Sequence, residues 1–421
     1  MNVRPRAFVT GIGAVGPHGV GVAAFDAGLR SGRSATRTIS LFAADALACR
    51  VAGEVPDFEP DAVLAPRDRG RVARVVPLAL LAAREALASA GFDPATLSEE
   101  IRRELHVLVG SGAACVEYSE RQYESYFASG RQGVSAFAVP CSTPGMLASE
   151  ISIALGLGGP SHVLSNGCTS STDALGYALD LIRAGRATRV LVGGADACIT
   201  PAVLAGYCAM RVVATRWNET PARASRPMSQ DRDGFVLGEG AWMLLLESET
   251  ALRATGHTAR AEIAGYGATC EAYHRVALRE DGADPARAMG LALTDAGITP
   301  EAVDYVNLHG TGTLLNDRVE TRAVHRVLGA RARQIPLSAT KSMIGHPQGA
   351  SGAAGVVATI LGMQAGYVPP TVNLDIPDPD CDLDFVPQHA RSAVVRYALC
   401  NCLGFGSKNS ALVVRAVENA S

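Results

Sequence analysis

The chain has 421 residues, 48% of them hydrophobic, and a formal net charge of −3. The length suits two domains or one large duplicated one, and the apolar share supplies a core and excludes disorder. A near-neutral balance without a Lys/Arg cluster argues against nucleic acid as the main partner, and ten cysteines without CxxC pairs or His/Cys metal spacing read as free thiols of a cytosolic chain.

The start, MNVRPRAFVTGIGAVG, moves directly into a strand-like run and lacks the apolar core and cleavage site of a signal peptide. In chain order, the apolar patterns predict a strand at Ala7–Gly11, a helix over Val75–Ala90 and strands at His106–Val109 and His162–Leu164. A helix over Ser171–Arg183 follows, then strands at Val190–Val192 and Met243–Leu246 and a helix over Pro285–Ala296. The remaining elements are a strand at Tyr305–Asn307, helices over Arg318–Leu328 and Ser351–Gln364, and a strand at Ala411–Val414. The alternation predicts an α/β fold with mostly buried sheets. The most apolar stretches, Val75–Leu87 and Ala353–Met363, are too short to span a bilayer and read as buried helices.

The chain also repeats itself. RAFVTGIGA at 6–14 matches RAEIAGYGA at 260–268 in its Arg, Ala, Gly, Gly and Ala positions. REALASAGFDPATL at 84–97 matches GLALTDAGITPEAV at 290–303, and HVLVGSG at 106–112 matches VNLHGTG at 306–312. Three short matches in the same order predict two halves, 1–255 and 256–421, packed as one catalytic unit with the active site at their junction.

Four stretches carry candidate chemistry. In SNGCTSSTDALGYAL, 165–179, Cys168 sits at a sharp turn before a helix. There the backbone amides and helix dipole favour a thiolate and an oxyanion, and a buried inert cysteine is the competing reading. In NLHGTGTLLNDRVE, 307–320, His309 ends a strand among glycines, Thr311 and Thr313 add hydroxyls, and Asp317 and Glu320 begin a helix, where capping alone would account for Asp317. In SATKSMIGHPQGASGAAG, 338–355, Lys341 precedes His346 in a loop of small residues. If buried, Lys341 needs an anionic partner, and Glu320 is the candidate. Pro347 fits a helix first turn. In LCNCLGFGSKNSALVV, 399–414, the Phe405 amide could complete an oxyanion hole and its ring could gate a pocket, although such a pattern also reads as a tight turn.

These four stretches, in this order, resemble the β-ketoacyl-acyl carrier protein synthases of the elongating type. The resemblance extends to SRPMSQDRDGFVLGEGA at 225–241, EAYH at 271–274, VPPTVNLD at 368–375 and CDLDFVP at 381–387. It implies a thiolase-like fold of two duplicated halves in a five-layered α-β-α-β-α arrangement, and a dimer. It implies that Cys168 takes an acyl chain from a phosphopantetheine thioester carried by acyl carrier protein, with the amides of Cys168 and Phe405 as oxyanion hole. It further implies that His309 and His346 hold the enolate formed when malonyl thioester loses CO2, and that Lys341, paired with Glu320, orders the histidine loops. Thr311, Thr313 and Phe405 would contact substrate, and residues near Cys115–Tyr118 would line the acyl pocket. No metal and no dissociable cofactor is implied, since the pantetheine arrives on the carrier.

The Cys-His-His set differs from the Cys-His-Cys set of thiolases and the Cys-His-Asn set of initiating synthases. Cys-Thr-Ser and NDRVET at 316–321 resemble the ketosynthase α subunit of type II polyketide synthases, and CDLDFVP resembles fatty-acid elongating synthases as closely. Ser407-Lys408, Pro347-Gln348 and Trp242 depart from both patterns and point to a specialised chain. The expected role is a type II polyketide ketosynthase, making a reduced or polyene chain, partnered by a chain-length-factor subunit of the same fold. The alternatives are a fatty-acid elongating homodimer or, in another class, a non-catalytic chain-length-factor-like subunit.

Overall fold

A computed structural model describes residues 4–417. The main sheet uses Ala7–Gly16 (β1), His106–Gly110 (β2), Ser161–Leu164 (β3), Arg189–Asp196 (β4) and Gly240–Ser248 (β5) from the first half. From the second it uses Ala261–Cys270 (β6), Tyr305–Asn307 (β7), Leu337–Ser338 (β8), Tyr397–Gly404 (β9) and Lys408–Arg415 (β10). The order is β8-β7-β9-β10-β6-β1-β5-β4-β2-β3, and short Gly19–Val20 folds back on β1. All seven predicted strands form. The sequence reading passes over β6, β8 and β9, whose glycines, polar residues or brevity hide an apolar run.

The pairing pattern repeats between the halves. Outward from β1, the neighbours β5 and β4 are each antiparallel to the strand before, and β2 and β3 continue parallel. Outward from β6, β10 and β9 are antiparallel and β7 and β8 parallel, in the same sequence. A register shift falls between Val9 and Gly11 in β1 and between Ile263 and Gly265 in β6. The halves meet where Ala7, Phe8 and Val9 pair with Ile263, Glu262 and Ala261.

Six helices complete the layers that position the site: Val75–Ser89 (α1), Met146–Leu155 (α2), Ser170–Arg183 (α3), Ala283–Ala296 (α4), Leu314–Leu328 (α5) and Ser351–Ala365 (α6). The α1 helix packs on β1 and β5 with α2 beside it, and α4 packs on β6 and β10 with α5 beside it. Between the two half-sheets lie α3 and α6, each touching strands of both. Five layers result, helical on the outside and in the middle. The α6 helix is enclosed, so its sequence is small and apolar nearly all round and Ser351 to Gly362 are all buried, whereas α3 leaves Tyr177 and Asp180 exposed. The α5 helix starts at Leu314, four residues before the predicted Arg318, because Thr313 already adopts an extended N-cap conformation. None of the helices among the described residues is long and apolar enough to cross a membrane.

The repeated glycines have a steric cause. A Cβ on Gly11 would lie 1.9 Å from the Ala86 carbonyl oxygen, and one on Gly13 would lie 1.9 Å from that of Ala82. In the second half a Cβ on Gly265 would lie 2.3 Å from the oxygen of Ala292, and one on Gly267 2.3 Å from that of Ala288. Each half therefore lays an alanine face of a helix directly on strand backbone. Gly13→Val should push α1 off β1 and cost at least about 3 kcal/mol of stability, read as a lowered urea midpoint or loss of soluble protein. An unchanged midpoint would contradict this packing.

Candidate active site

Cys168 sits two residues before α3, on a turn made possible by Gly167 in the left-handed region at φ 66°. The Ser170 hydroxyl holds that turn, donating to the Gly167 carbonyl at 2.6 Å and accepting from the Asn166 amide at 2.9 Å. His309 follows β7, Lys341 and His346 lie in the crossing between β8 and α6, and Phe405 occupies the β9–β10 hairpin. Sheet ends from both halves thus deliver these groups to one place. Cys168, His309, His346, Thr311, Thr313 and Phe405 line one cavity of about 220 Å³.

Cys168 Sγ lies 3.3 Å from His346 Nε2. The two imidazoles meet edge to face, with centroids 5.2 Å apart. Their hydrogen bonds identify the tautomer. The Gln348 amide, which can only donate, points at His346 Nδ1 at 3.1 Å. That nitrogen is therefore the acceptor, and the proton sits on Nε2, facing the thiol. At His309 the Lys341 ammonium approaches Nδ1 at 3.4 Å, which likewise leaves the proton on Nε2. Burial first, and then the Lys341 charge, hold both imidazoles well below the ordinary histidine value, so both stay neutral. The pair presents two N–H donors to the cavity.

Ligand atoms of Cys168, His309 and His346 lie within 4.8 Å of one another, a spacing a metal ion could bridge. The groups hydrogen-bonded to the two histidines oppose this. A metal-bound histidine normally donates its other N–H to an acceptor, whereas here Nδ1 of each faces donors and a buried ammonium stands beside them. The donor set fits an oxyanion better than a cation.

Burial pushes the Cys168 thiol up to about 11, and the Lys341 charge and the amides of Phe405 and Cys168 itself pull it back only in part. In the enclosed cavity desolvation outweighs the Lys341 charge and the two amides, so the resting group is the thiol rather than the thiolate the turn-to-helix setting leads one to expect. Because the thiolate is the reactive form, alkylation of Cys168 by iodoacetamide should accelerate about tenfold per pH unit from about pH 7 to 9. A flat profile there would mean a preformed thiolate.

A second correction concerns Lys341 and Glu320, which make no direct ion pair. Lys341 Nζ donates to the His309 carbonyl at 2.6 Å, while Glu320 accepts from the amides of His309 at 2.7 Å and Gly310 at 2.8 Å. They brace the same turn from two sides, and backbone lies between them. Burial raises Glu320 to about 7 against the pull of those amides and of Lys341. Asp317 is not a cap. It is buried, accepts from the amides of Gly312 at 3.2 Å and Met228 at 2.8 Å, and pairs with Arg232 at 3.1 Å. Thr311 and Thr313 hold their hydroxyls 3.0 Å apart on the cavity wall. Cys115 and Tyr118 do not line this cavity; they are buried in the apolar core around α1.

Several contributors escaped the sequence reading. Asp196, the acid ending VLVGGAD, accepts from the amides of Gly112 at 2.8 Å, Ala113 at 2.9 Å and Gly349 at 2.6 Å, so it ties the loop after His346 to the end of β2. Cys402 donates to the Cys168 carbonyl at 2.9 Å. The unusual Ser407 sits at φ 64°, and its hydroxyl donates to the His274 carbonyl at 2.9 Å, clasping the Phe405 hairpin to segment 271–275. Lys408 reaches Asn166 at 3.2 Å, just before the nucleophile turn. Trp242 lies in the core, where Gly16 and Gly240 make room for its ring.

Residues 5–251 match the family described as beta-ketoacyl synthase, N-terminal domain, and residues 260–375 match beta-ketoacyl synthase, C-terminal domain. The chain is a β-ketoacyl synthase. This synthase is 41% identical over 420 residues to the tetracenomycin polyketide synthase ketoacyl synthase alpha subunit of Streptomyces glaucescens, covering 98% of this chain and 97% of that one. It is 39% identical over 415 residues to 3-oxoacyl-[acyl-carrier-protein] synthase 2 of Synechocystis sp., covering 99% of both. Among solved structures it resembles the ishigamide ketosynthase/chain length factor, with a TM-score of 0.91, 34% identity, and coverage of 99% of this chain and 100% of that one. The thiolase-like fold and the acyl-transferring, carbon–carbon bond-forming activity of a β-ketoacyl synthase follow.

Proposed function

We propose that this synthase condenses malonyl-acyl carrier protein with an acyl chain held on Cys168, in type II polyketide biosynthesis. The observation that carries this reading is the thiol facing two neutral histidines whose Nε2 protons are pinned by donors at Nδ1. The Cys168 sulfur attacks the carrier thioester; the carbonyl–sulfur bond to pantetheine breaks, and the departing thiol takes up the proton that Cys168 gives up. The amides of Cys168 and Phe405 hold the oxyanion. Malonyl thioester then enters, its pantetheine arm along Thr311 and Thr313. Its carboxylate leaves as CO2, and the electron pair of the broken C–C bond forms an enolate whose oxygen accepts from His309 and His346 Nε2. The enolate carbon attacks the acyl carbonyl, the bond to Cys168 breaks, and the thiolate takes up one proton from water, the proton that loss of CO2 from a carboxylate consumes overall. Lys341, Glu320 and Asp317 act as positioning residues, and no dissociable cofactor or metal takes part.

Residues 1–255 supply the nucleophile and 256–421 the histidines, as one catalytic unit. We infer a cytoplasmic enzyme; that it meets acyl carrier protein and pairs with a chain-length-factor subunit of the same fold is in keeping with the relatives' names. A fatty-acid elongating homodimer is the second reading, favoured by the 39% identity to a 3-oxoacyl synthase. The non-catalytic partner reading has Cys168, His309 and His346 against it. The test is to incubate the protein with malonyl-carrier protein and a set of acyl-carrier primers, with and without a candidate partner subunit, and weigh the carrier-bound products. Dependence on the partner supports the polyketide reading; unaided elongation of saturated primers supports the fatty-acid one.

A further inference from the structure

Gln348 stands two residues after His346, where the resemblance leads one to expect an apolar residue, and lines the same cavity as Cys168. It is 6% exposed. Its backbone and side chain have separate tasks. The backbone amide donates to His346 Nδ1, and the residue holds φ at 44°, a strained value for a side chain other than glycine. The Tyr207 hydroxyl meets the side-chain Oε1 at 3.1 Å. Nε2 is buried and has no partner.

Hydrogen counting makes this informative. An amide and a phenol together carry three polar hydrogens, and one mutual bond uses one of them in either orientation of the amide. With Tyr207 donating to Oε1, the two Nε2 hydrogens are left unpaired, and what complements them is an acceptor. The pair cannot easily turn away. Tyr207 packs edge-on against Phe235, which packs edge-on against His346, with centroids 5.2 and 5.3 Å apart. The cavity lining combines apolar Val212, Phe235 and Leu403 with Thr311, Thr313 and Asn316, and none of these reaches Nε2.

We propose that Gln348 donates from Nε2 to an oxygen atom on the acyl chain held by Cys168, so that the site selects chains bearing a keto or hydroxyl oxygen over wholly reduced chains of equal length. This rests on the ketosynthase reading above and deepens it, and it departs from the sequence expectation of a reduced or polyene chain. A reduced chain filling the cavity excludes water and strands the amide N–H, and a site built to hydrogen-bond a substrate group discriminates strongly against an analogue lacking it. A carbonyl of the pantetheine arm is the other acceptor of the same chemistry.

The experiment measures the rate of acyl-Cys168 formation by intact mass, using N-acetylcysteamine thioesters of a saturated acyl group and of keto analogues of equal length with the oxygen at successive positions. Wild type should load at least one keto analogue roughly tenfold faster than the saturated chain. In Gln348→Leu that ratio should collapse toward one. Tyr207→Phe, which keeps the ring stack, should lower the ratio by a smaller factor. A wild-type ratio near one overturns the proposal, as does a Gln348→Leu variant that slows saturated and keto chains alike. An effect seen only when N-acetylcysteamine is replaced by pantetheine also overturns it, because the acceptor then lies on the arm. If no thioester acylates Cys168 in the wild type, the ketosynthase reading itself fails. Acylation with an unaltered ratio leaves that reading standing and removes only the role of Gln348.

Discussion

Cys168→Ala is expected to abolish acyl-enzyme formation and to lower condensation by a factor on the order of 10³ or more. The Cys168 sulfur lies 3.3 Å from His346 Nε2 and is also reached by the amides of Phe405 and of Cys168 itself. Alanine fits the same turn, so the fold should be retained: Gly167 and the Ser170 hydroxyl, which shape it, are untouched. The measurement is intact mass after incubation with an acyl thioester, alongside circular dichroism of the variant. Condensation at the wild-type rate would place the nucleophile elsewhere.

His309→Ala should separate the two half-reactions. The Cys168 oxyanion site uses backbone amides, so acyl transfer should fall modestly. Loss of CO2 from malonyl thioester should fall by about 10²–10³, the usual cost of removing one preorganised donor to a developing oxyanion. Lys341→Met should mimic this, because the Lys341 ammonium holds both the His309 carbonyl and its Nδ1. It should also slow acylation further, since the Lys341 charge is the largest influence holding the Cys168 thiol down. Release of CO2 and acyl-Cys168 mass, followed in parallel, check both variants. If His309→Ala slows acylation as much as decarboxylation, its role as an enolate donor is wrong.

The architecture was legible where local patterns carry it. The correspondence between 6–14 and 260–268, and between 84–97 and 290–303, marked the duplication, and it contains the contacts Gly11–Ala86 and Gly265–Ala292. Ala82 and Ala288, which face Gly13 and Gly267, lie outside the matched stretches. The helices over Val75–Ala90 and Ser351–Gln364 were readable because enclosure requires continuous apolar or small residues. The β9 strand was not, since ALCNCLG mixes polar and glycine residues that are buried against the site. The site was legible as residue types, Cys168, His309, Lys341, His346 and Phe405, and illegible as interactions. Glu320 was assigned to Lys341 on charge alone, yet it holds two backbone amides instead. Asp196 and Tyr207 gave no signal, because an acid ending a strand and a tyrosine in a short helix are ordinary until the loops they contact are known.

The order of chemical groups along this chain and its duplication are properties of the sequence alone, since they rest on periodicity, on sterically required glycines and on motif order. The state of those groups is tertiary. Which nitrogen of His309 and His346 bears the proton, how far the Cys168 thiol is held from ionisation, and which donor is left over at Gln348 depend on neighbours far away in the chain. His346 is 178 residues from Cys168, and Gln348 is 141 from Tyr207. Burial and donor geometry exist only once those segments have packed together.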